Sequence, residues 1–249
     1  MQEALLFCFG LVFGSFSNVL IDRSESGESV IWGRSHCDYC GKTLRWYELI
    51  PVVSFMLQRG RCRRCKKSLS IQYPLIELLT AVSYIVLSYV VPIGEVYIIS
   101  AAILSACIVI AVSDFKYQLI PDEMVLLATM CALYMLFRTQ PAHTIVLHVY
   151  AAIGSVALFW TLWRVTKGRG MGFGDVKLAA FLGILLGYPG SIFAIYCAFL
   201  TGAVLGVILI ITQQKSLKSK IAFGPFMLLG ILVTLVWFTP LMRLWNIYF

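Results

Sequence analysis

Charged residues are scarce in this chain of 249 residues. Only 13% are Asp, Glu, Lys or Arg, about half the roughly 25% of an ordinary soluble domain. Hydrophobic residues make up 60%, and they come in runs rather than in a one-faced or alternating pattern. A soluble protein of this size needs a polar exterior, which this composition does not supply. The scarcity of charge therefore excludes a soluble globule and indicates a chain folded in a bilayer.

Histidine is also scarce, and its scarcity limits the catalytic classes. The three histidines are His36, His143 and His148, and the last two are expected toward the outer face of the membrane. No Ser-His, Cys-His or H-E-x-x-H arrangement is apparent among them. The sequence also lacks a G-x-G-x-x-G motif after a strand, so no residue pattern identifies a cofactor pocket.

The apolar runs predict a polytopic helical membrane protein. A helix needs about 20 mostly apolar residues to cross about 30 Å of hydrocarbon. Eight segments approach this length, the sixth being the weakest: residues 4–21, 73–91, 97–113, 124–137, 144–163, 176–186, 191–212 and 223–238. The first has no basic start and no A-x-A cleavage site, so we expect a retained helix rather than a signal peptide. The predicted fold is all-α, with about eight transmembrane helices.

The basic residues predict the orientation of these helices, because short cytoplasmic loops carry Lys and Arg in excess. Ten of the 20 basic residues lie between the first two spans, and eight alternating spans place 18 of the 20 on that side. The later ones on that side are Lys116, Arg164, Lys167, Arg169, Lys177, Lys215, Lys218 and Lys220; only Arg138 and Arg243 lie opposite. Residues 23–72 are thus predicted to be a cytoplasmic loop. This topology and attraction to anionic lipid account for the net charge of +8 without a nucleic-acid partner.

Four of the eight cysteines form two C-x-x-C pairs in this loop. Cys37 and Cys40 make the first pair, and Cys62 and Cys65 follow after 21 intervening residues. The cytoplasm keeps thiols reduced, which disfavours disulfides, and two such pairs can complete a tetrahedral four-thiolate zinc site. With no open coordination position, this zinc would be structural, and it would fold a loop that has few apolar residues of its own.

Two aspartates at the ends of predicted spans are candidates for catalysis, because an ionisable group at the rim of a span is costly and indicates function. Asp114 ends the third span and Asp175 begins the sixth, so both are expected at the cytoplasmic membrane face. Two aspartates that share one proton can hydrolyse a peptide bond. Asp122, at the start of the fourth span, is interpreted as a helix-capping residue. Glycines before Asp175 would let a substrate strand approach closely: Gly170, Gly172 and Gly174.

Several short motifs lie in a fixed order along the chain. G-S-F-S-N-V begins at Gly14, R-S-H-C-D-Y-C at Arg34 and L-I-P-V-V-S at Leu49. R-G-R-C-R-R-C, Y-P-L-I-E-L, L-I-P-D and G-F-G-D follow, the last ending at Asp175. A lone G-x-G-D would be weak, but the ordered set is specific. Over nearly its whole length the chain resembles the type IV prepilin peptidases, bacterial leader peptidases with intramembrane aspartic catalysis.

This resemblance implies a function. Family members cut the basic leader of type IV pilins and pseudopilins after a glycine, at the cytoplasmic face. Many then methylate the new N-terminus with S-adenosylmethionine. Carried onto this chain, the resemblance implies that Asp114 and Asp175 are the catalytic pair and that the four paired cysteines hold zinc. Lys177, in the family's G-D-x-K, is a candidate substrate contact beside Gly172 and Gly174, or alternatively a positive-inside anchor.

The expected organisation has three parts: a first transmembrane helix (1–22), a cytoplasmic zinc-binding domain (23–72) and a seven-helix aspartic peptidase core (73–249), in a bacterial plasma membrane. The expected partners are prepilin or pseudopilin precursors and the lipid bilayer, with no nucleic acid. Two alternatives stay open. One is a stand-alone membrane methyltransferase, and the other is a zinc-knuckle transporter or scaffold without peptidase activity.

Overall fold

The computed structural model describes residues 1–29, 32–37, 39–168, 170–213 and 222–238. Eight α-helices occur in this part of the chain: α1 (Gln2–Ser26), α2 (Val53–Leu57), α3 (Gln72–Val90), α4 (Glu95–Tyr117), α5 (Asp122–Thr139), α6 (Ala142–Val165), α7 (Phe173–Ile211) and α8 (Gly224–Val233). A 3-10 turn covers Trp46–Glu48, and a π-helical turn, Thr234–Phe238, extends α8. Five residues of the predicted charge pattern lie outside the described residues: Arg169, Lys215, Lys218, Lys220 and Arg243.

Within the described residues, five helices are long and apolar enough to cross a membrane: α1, α3, α4, α6 and α7. Large apolar side chains stay exposed on their outer faces, as at Val82 and Val86 of α3, which suits a hydrocarbon solvent. The 18 residues of α5 and the apolar helix Gly224–Phe238 do not meet these criteria. The predicted all-α membrane class is therefore confirmed. Of the described helices, five rather than eight are long and apolar enough to be candidate membrane spans.

The 39 residues of α7 are interrupted near the middle. Gly187 has φ +63° and ψ −170°, and Tyr188 is also non-helical. Pro189 follows and has no N–H to donate. On α6, His148 donates from Nδ1 to the carbonyl of Ile184, at 2.7 Å. A Cβ on Gly187 would lie 2.7 Å from the His148 ring, so both the backbone conformation and the space require glycine here.

The described chain packs as two compact units, Met1–Val109 and Ile110–Phe249, so the boundary lies within α4. In the first unit, α1 and α3 run antiparallel and in close contact. The backbone of Gly10 meets that of Ala81, and Gly14 meets Glu77. Small residues one turn apart let two helix backbones approach, which is how membrane helices commonly pack.

The second unit is built around α7, which packs against α6, α8 and α5. Gly183 of α7 contacts the backbone of Ala152 in α6, and Gly230 of α8 contacts that of Ala194 in α7. The rings of Phe159, Phe199 and Phe223 fill the space between these helices, with centroids 5.1–6.0 Å apart. This packing brings the start of α7 and the start of α8 to the same end of the unit as the last turn of α4.

Candidate functional site

Asp114 and Asp175 line one cavity of about 150 Å³ within the second unit. Asp114 lies in the last turns of α4, and Asp175 is the third residue of α7. Both are buried, at 5% exposure each, and their carboxylates are close enough to interact electrostatically. The structure therefore brings together the two aspartates that the sequence places at the ends of different spans.

Backbone N–H groups at two helix starts hold these carboxylates. Gly172, the N-cap residue of α7, donates to Asp175 Oδ2 at 3.1 Å. Gly224, the first residue of α8, donates to Asp114 Oδ2 at 2.8 Å. Among the described residues, neither carboxylate forms an ion pair. Two acids close together without a cation favour a state in which they share one proton, and this state suits acid and base catalysis.

Beside both aspartates, neighbouring atoms lie so close to the backbone that only glycine fits. A Cβ on Gly224 would lie 2.7 Å from Asp114 Oδ2, and a Cβ on Gly174 would lie 2.9 Å from the Cβ of Ile120. Gly174 thus lets the segment after α4 pack directly on the start of α7. Sequence reasoning missed Gly224 and Ile120. The Gly224-Pro225 pair does signal a helix start, but nothing in it points to Asp114.

Glycines, apolar residues and one glutamine complete the cavity wall. Besides the two aspartates it is lined by Gln118, Ile120, Gly168, Gly170, Met171, Gly172, Gly174, Ala222 and Phe223. Two of the three predicted substrate contacts, Gly172 and Gly174, are in this wall. With so few side chains on one side, an extended peptide backbone can approach the aspartates closely.

Lys177, the third predicted substrate contact, is not among the lining residues. Its Nζ lies 2.6 and 2.7 Å from the two carboxylate oxygens of Asp122. Asp122 lies in the first turn of α5, as predicted for an acid at a helix start, but it does not cap the helix, because the N-cap is Pro121 and no side-chain cap bond is present. The carboxylate of Asp122 joins the start of α5 to the second turn of α7.

The sulfur atoms of Cys37, Cys40, Cys62 and Cys65 all lie within 4.8 Å of one another in the first unit. The cluster can hold a metal ion, as the spacing of the cysteines predicts. The Cys37 and Cys65 sulfurs are 3.9 Å apart. Backbone N–H groups of Cys65 and Arg64 donate to the Cys62 sulfur and lower the pKa of that thiol to about 6, which favours the thiolate that binds metals.

The two C-x-x-C segments have the same backbone structure. Cys37 N–H donates to the carbonyl of Lys42 at 3.0 Å, and Cys62 N–H donates to that of Lys67 at 2.9 Å. An isolated antiparallel bridge closes each segment. Each also has a positive φ one residue after its second cysteine, at the positions Gly41 (+64°) and Lys66 (+61°). The cluster is therefore built from two copies of one cysteine turn.

Two further acids of the first unit are buried, and each has partners. Glu48 accepts hydrogen bonds from Lys42 Nζ at 2.9 Å and from Arg45 N–H at 2.9 Å. Burial raises the pKa of Glu48, but these donors outweigh it and leave the pKa below its usual value. Glu77, for which the sequence suggests no partner, accepts the Val52 N–H at 2.7 Å.

Comparison with known proteins gives two family matches. Residues 8–91 match the Bacterial Peptidase A24 N-terminal domain, and residues 101–207 match the Type IV leader peptidase family. The first region contains all four clustered cysteines, and the second contains Asp114 and Asp175.

Curated relatives cover nearly the whole chain. The Prepilin leader peptidase/N-methyltransferase of Xanthomonas campestris pv. campestris is 33% identical over 92% of this chain and 88% of its own length. The protein of the same name from Bacillus subtilis is 30% identical over 91% of each chain. That from Aeromonas hydrophila is 30% identical over 94% of this chain and 90% of its own. No solved structure matches the chain significantly.

Proposed function

Because this chain belongs to the type IV leader peptidase family, we propose that it is a membrane aspartic endopeptidase that removes the basic leader from type IV prepilins or pseudoprepilins. Cleavage follows a glycine at the cytoplasmic membrane face. The observation that carries this proposal is the pair of buried aspartates, Asp114 and Asp175, in one cavity without a cationic partner among the described residues.

The chemistry follows from the pair and its fixed donors. One aspartate, ionised, takes a proton from the attacking water, while the other, protonated, donates a hydrogen bond to the scissile carbonyl. The N–H groups of Gly172 and Gly224 each fix one carboxylate oxygen. The second oxygen of each carboxylate is then available to water or substrate. Such acid and base catalysis contributes about 10²- to 10⁴-fold to a rate.

The glycine-rich wall of the cavity supports the proposed substrate contacts at Gly172 and Gly174. A prepilin has an apolar helix after its leader, so it would enter laterally from the bilayer with its cleavage site at the level of the aspartates. Lys177 stays a proposed contact, although its ammonium group is already paired with Asp122. Substrate binding by Lys177 would therefore require this ion pair to open.

Methylation of the new N-terminus is the second proposed activity. The names of the relatives include N-methyltransferase. S-adenosylmethionine would supply the methyl group, as the family resemblance implies. We propose no binding site for S-adenosylmethionine among the described residues.

The four-cysteine cluster is proposed to bind structural zinc through Cys37, Cys40, Cys62 and Cys65. Zinc–thiolate bonds of about 2.3 Å in a tetrahedron separate the sulfurs by about 3.8 Å. The separation of 3.9 Å between the Cys37 and Cys65 sulfurs fits this geometry. Four thiolates leave no open position, so the ion would hold the two turns together and take no part in peptide hydrolysis.

The proposed topology has eight crossings, with the aspartates and residues 23–72 on the cytoplasmic side of a bacterial plasma membrane. The break at Gly187 supports two crossings by α7, whose 39 residues extend about 58 Å, nearly twice a hydrocarbon core. α5 and Gly224–Phe238 supply the other two. The proposed functional parts remain the first helix (1–22), the zinc-binding segment (23–72) and the peptidase core (73–249).

The test is conversion of a purified prepilin by the enzyme in detergent or nanodiscs, followed by gel shift and mass spectrometry. Asp114→Asn and Asp175→Asn keep the side-chain shape and should each lower the rate by at least about 10²-fold, because each removes one half of the acid–base pair. Glu123→Gln is the matched control. It removes one exposed acid from the first turn of α5 and should process at the parent rate.

Processing by either aspartate variant at the parent rate would contradict the peptidase proposal and favour the transporter or scaffold. The same assay addresses Lys177. A Lys177→Met enzyme with a raised KM and an unchanged kcat indicates a substrate contact, whereas a lowered kcat alone indicates that the ion pair positions α5 and α7.

A further inference from the structure

A segment between the two cysteine turns exposes apolar side chains. It comprises the 3-10 turn Trp46–Glu48, the following turn and α2. Trp46, Met56 and Leu57 are 77%, 71% and 73% exposed, and Ile50 and Val53 are exposed as well. These five side chains are called the apolar edge. Exposed apolar residues concentrated in one short segment mark a surface that meets another phase or partner.

A hydrogen bond connects the turn beside the apolar edge to α3, at a residue beyond the start of that helix. Val52, which lies between Ile50 and Val53 in the chain, donates its N–H to the buried carboxylate of Glu77 at 2.7 Å. Glu77 lies five residues after Gln72, where α3 begins, which is about 7 to 8 Å along the helix axis. Because α3 is a candidate membrane span, this bond holds the turn before α2 against the first two turns of that span.

The backbone conformation of Val52 indicates that the surrounding structure determines where this residue lies. Val52 has φ +59°, a region that a β-branched residue rarely adopts. Gly14 of α1 packs against the backbone of Glu77, so this buried residue lies between two candidate spans. Strained backbone persists where the surroundings over-determine it, and here the fixed acceptor on α3 determines where Val52 lies.

Basic residues flank the apolar edge along the chain. Arg45 precedes it, and Arg59, Arg61 and Arg63 follow it. Arg63 also lies over the ring of Tyr47, 5.0 Å from the centroid. Apolar side chains bordered by arginine, with a tryptophan at one end, are the composition of segments that lie in the interface of an anionic membrane.

We propose that the apolar edge is inserted into the cytoplasmic leaflet of the bilayer. Its apolar side chains enter the acyl boundary, and the flanking arginines contact anionic headgroups. Only the assignment of the apolar edge to the cytoplasmic side of the membrane rests on the proposed topology. The insertion itself rests on the bond between Val52 and Glu77 and on the exposed side chains. It fixes the four-cysteine cluster against the membrane face through a second attachment, besides its covalent links to α1 and α3.

The first test uses photo-crosslinking in nanodiscs that contain anionic lipid. Benzoylphenylalanine replaces Met56 in one protein and, as a control, Tyr39 in another. Tyr39 is an exposed aromatic residue of the first cysteine turn outside the apolar edge. We expect lipid adducts at position 56 at a yield at least about fivefold above that at position 39. Zinc content equal to the parent's verifies that the cysteine turns are intact.

The result that overturns the proposal is equal lipid labelling at both positions, or an adduct at position 56 with added prepilin or another protein instead of lipid. The latter would make the apolar edge a protein-docking surface. Prepilin processing is measured separately, so a failed insertion test leaves the peptidase proposal standing.

A second measurement needs no substitution at the edge. Hydrogen exchange of the Val53–Leu57 amides is compared in nanodiscs of zwitterionic lipid and of lipid with anionic headgroups. Insertion predicts slower exchange, by about threefold or more, with anionic lipid, while amides of the first cysteine turn change little. Exchange that is independent of headgroup charge contradicts the role assigned to the arginines.

Discussion

At the scale of single residues, two glycine N–H groups decide how the aspartates are held. Gly172 and Gly224 belong to different helices, and each donates to one carboxylate. Gly224 has an additional constraint, because its α-carbon lies so close to Asp114 that a methyl group would meet the carboxylate oxygen at 2.7 Å. The N–H bond and the absent side chain together fix the distance between α8 and the end of α4.

Gly224→Ala is therefore expected to lower kcat for prepilin cleavage by about 10- to 100-fold, because a misplacement of about 1 Å in a reacting group can cost this much. The N–H donor is retained, so the enzyme should remain folded and keep its metal. Gly154→Ala is the control, since nothing lies within 4 Å of a Cβ there. Equal rates for the two variants in the gel-shift assay would show that Asp114 tolerates the displacement.

At the scale of elements, the two cysteine turns share one backbone pattern and differ at one position. The first turn has glycine at its positive φ, and the second has Lys66 at φ +61°. A non-glycine residue in this region costs roughly 1–2 kcal/mol. The second turn therefore depends more on its other interactions, and the proposed metal ion, bound by both turns, would supply a common support.

Cys37→Ser and Cys62→Ser should each lower the zinc content of the purified protein. Losing a structural metal should also destabilise residues 23–72 by roughly 4 kcal/mol or more. Cys131→Ser is the matched control, because Cys131 lies alone in α5 and should leave both properties unchanged. Metal content is measured by mass spectrometry, and stability by limited proteolysis of the loop. A stable, metal-free Cys62→Ser protein would remove the zinc proposal.

The ion pair between Asp122 and Lys177 is the other connection between elements near the site. It joins α5 to α7 beside the contact of Ile120 with Gly174. Both side chains are partly exposed, and such pairs usually contribute about 0.2–1 kcal/mol. Its contribution is therefore to alignment more than to overall stability, which is why kcat and KM are separated for Lys177→Met.

At the scale of the whole molecule, the proposed eight crossings depend on the break in α7. Alkaline phosphatase fused after Tyr188 should be active, because eight crossings place this residue outside, whereas a fusion after Lys167 should be inactive. The physical reason is that a helix of 39 residues is about twice the length needed for one crossing. An inactive fusion after Tyr188, at normal expression, contradicts the eight-crossing topology.

The sequence by itself determined the class of the protein and the composition of its sites. Long apolar runs with little charge can fold only as membrane helices, because the backbone must satisfy its own hydrogen bonds in lipid. The four-cysteine cluster was predictable from local spacing, since each C-x-x-C turn forms within a few residues. The two aspartates were predictable as a pair because the charge pattern places both at one membrane face.

The tertiary structure alone decided which groups hold these residues. Gly224 lies 110 residues from Asp114, and no local pattern links a helix-opening glycine to that carboxylate. Glu77 accepts the Val52 N–H, and Asp122 pairs with Lys177 instead of capping α5. These contacts likewise depend on which helices pack together. Periodicity and spacing report on neighbours within one element, whereas these contacts form between elements whose approach is set by glycines at the helix crossings.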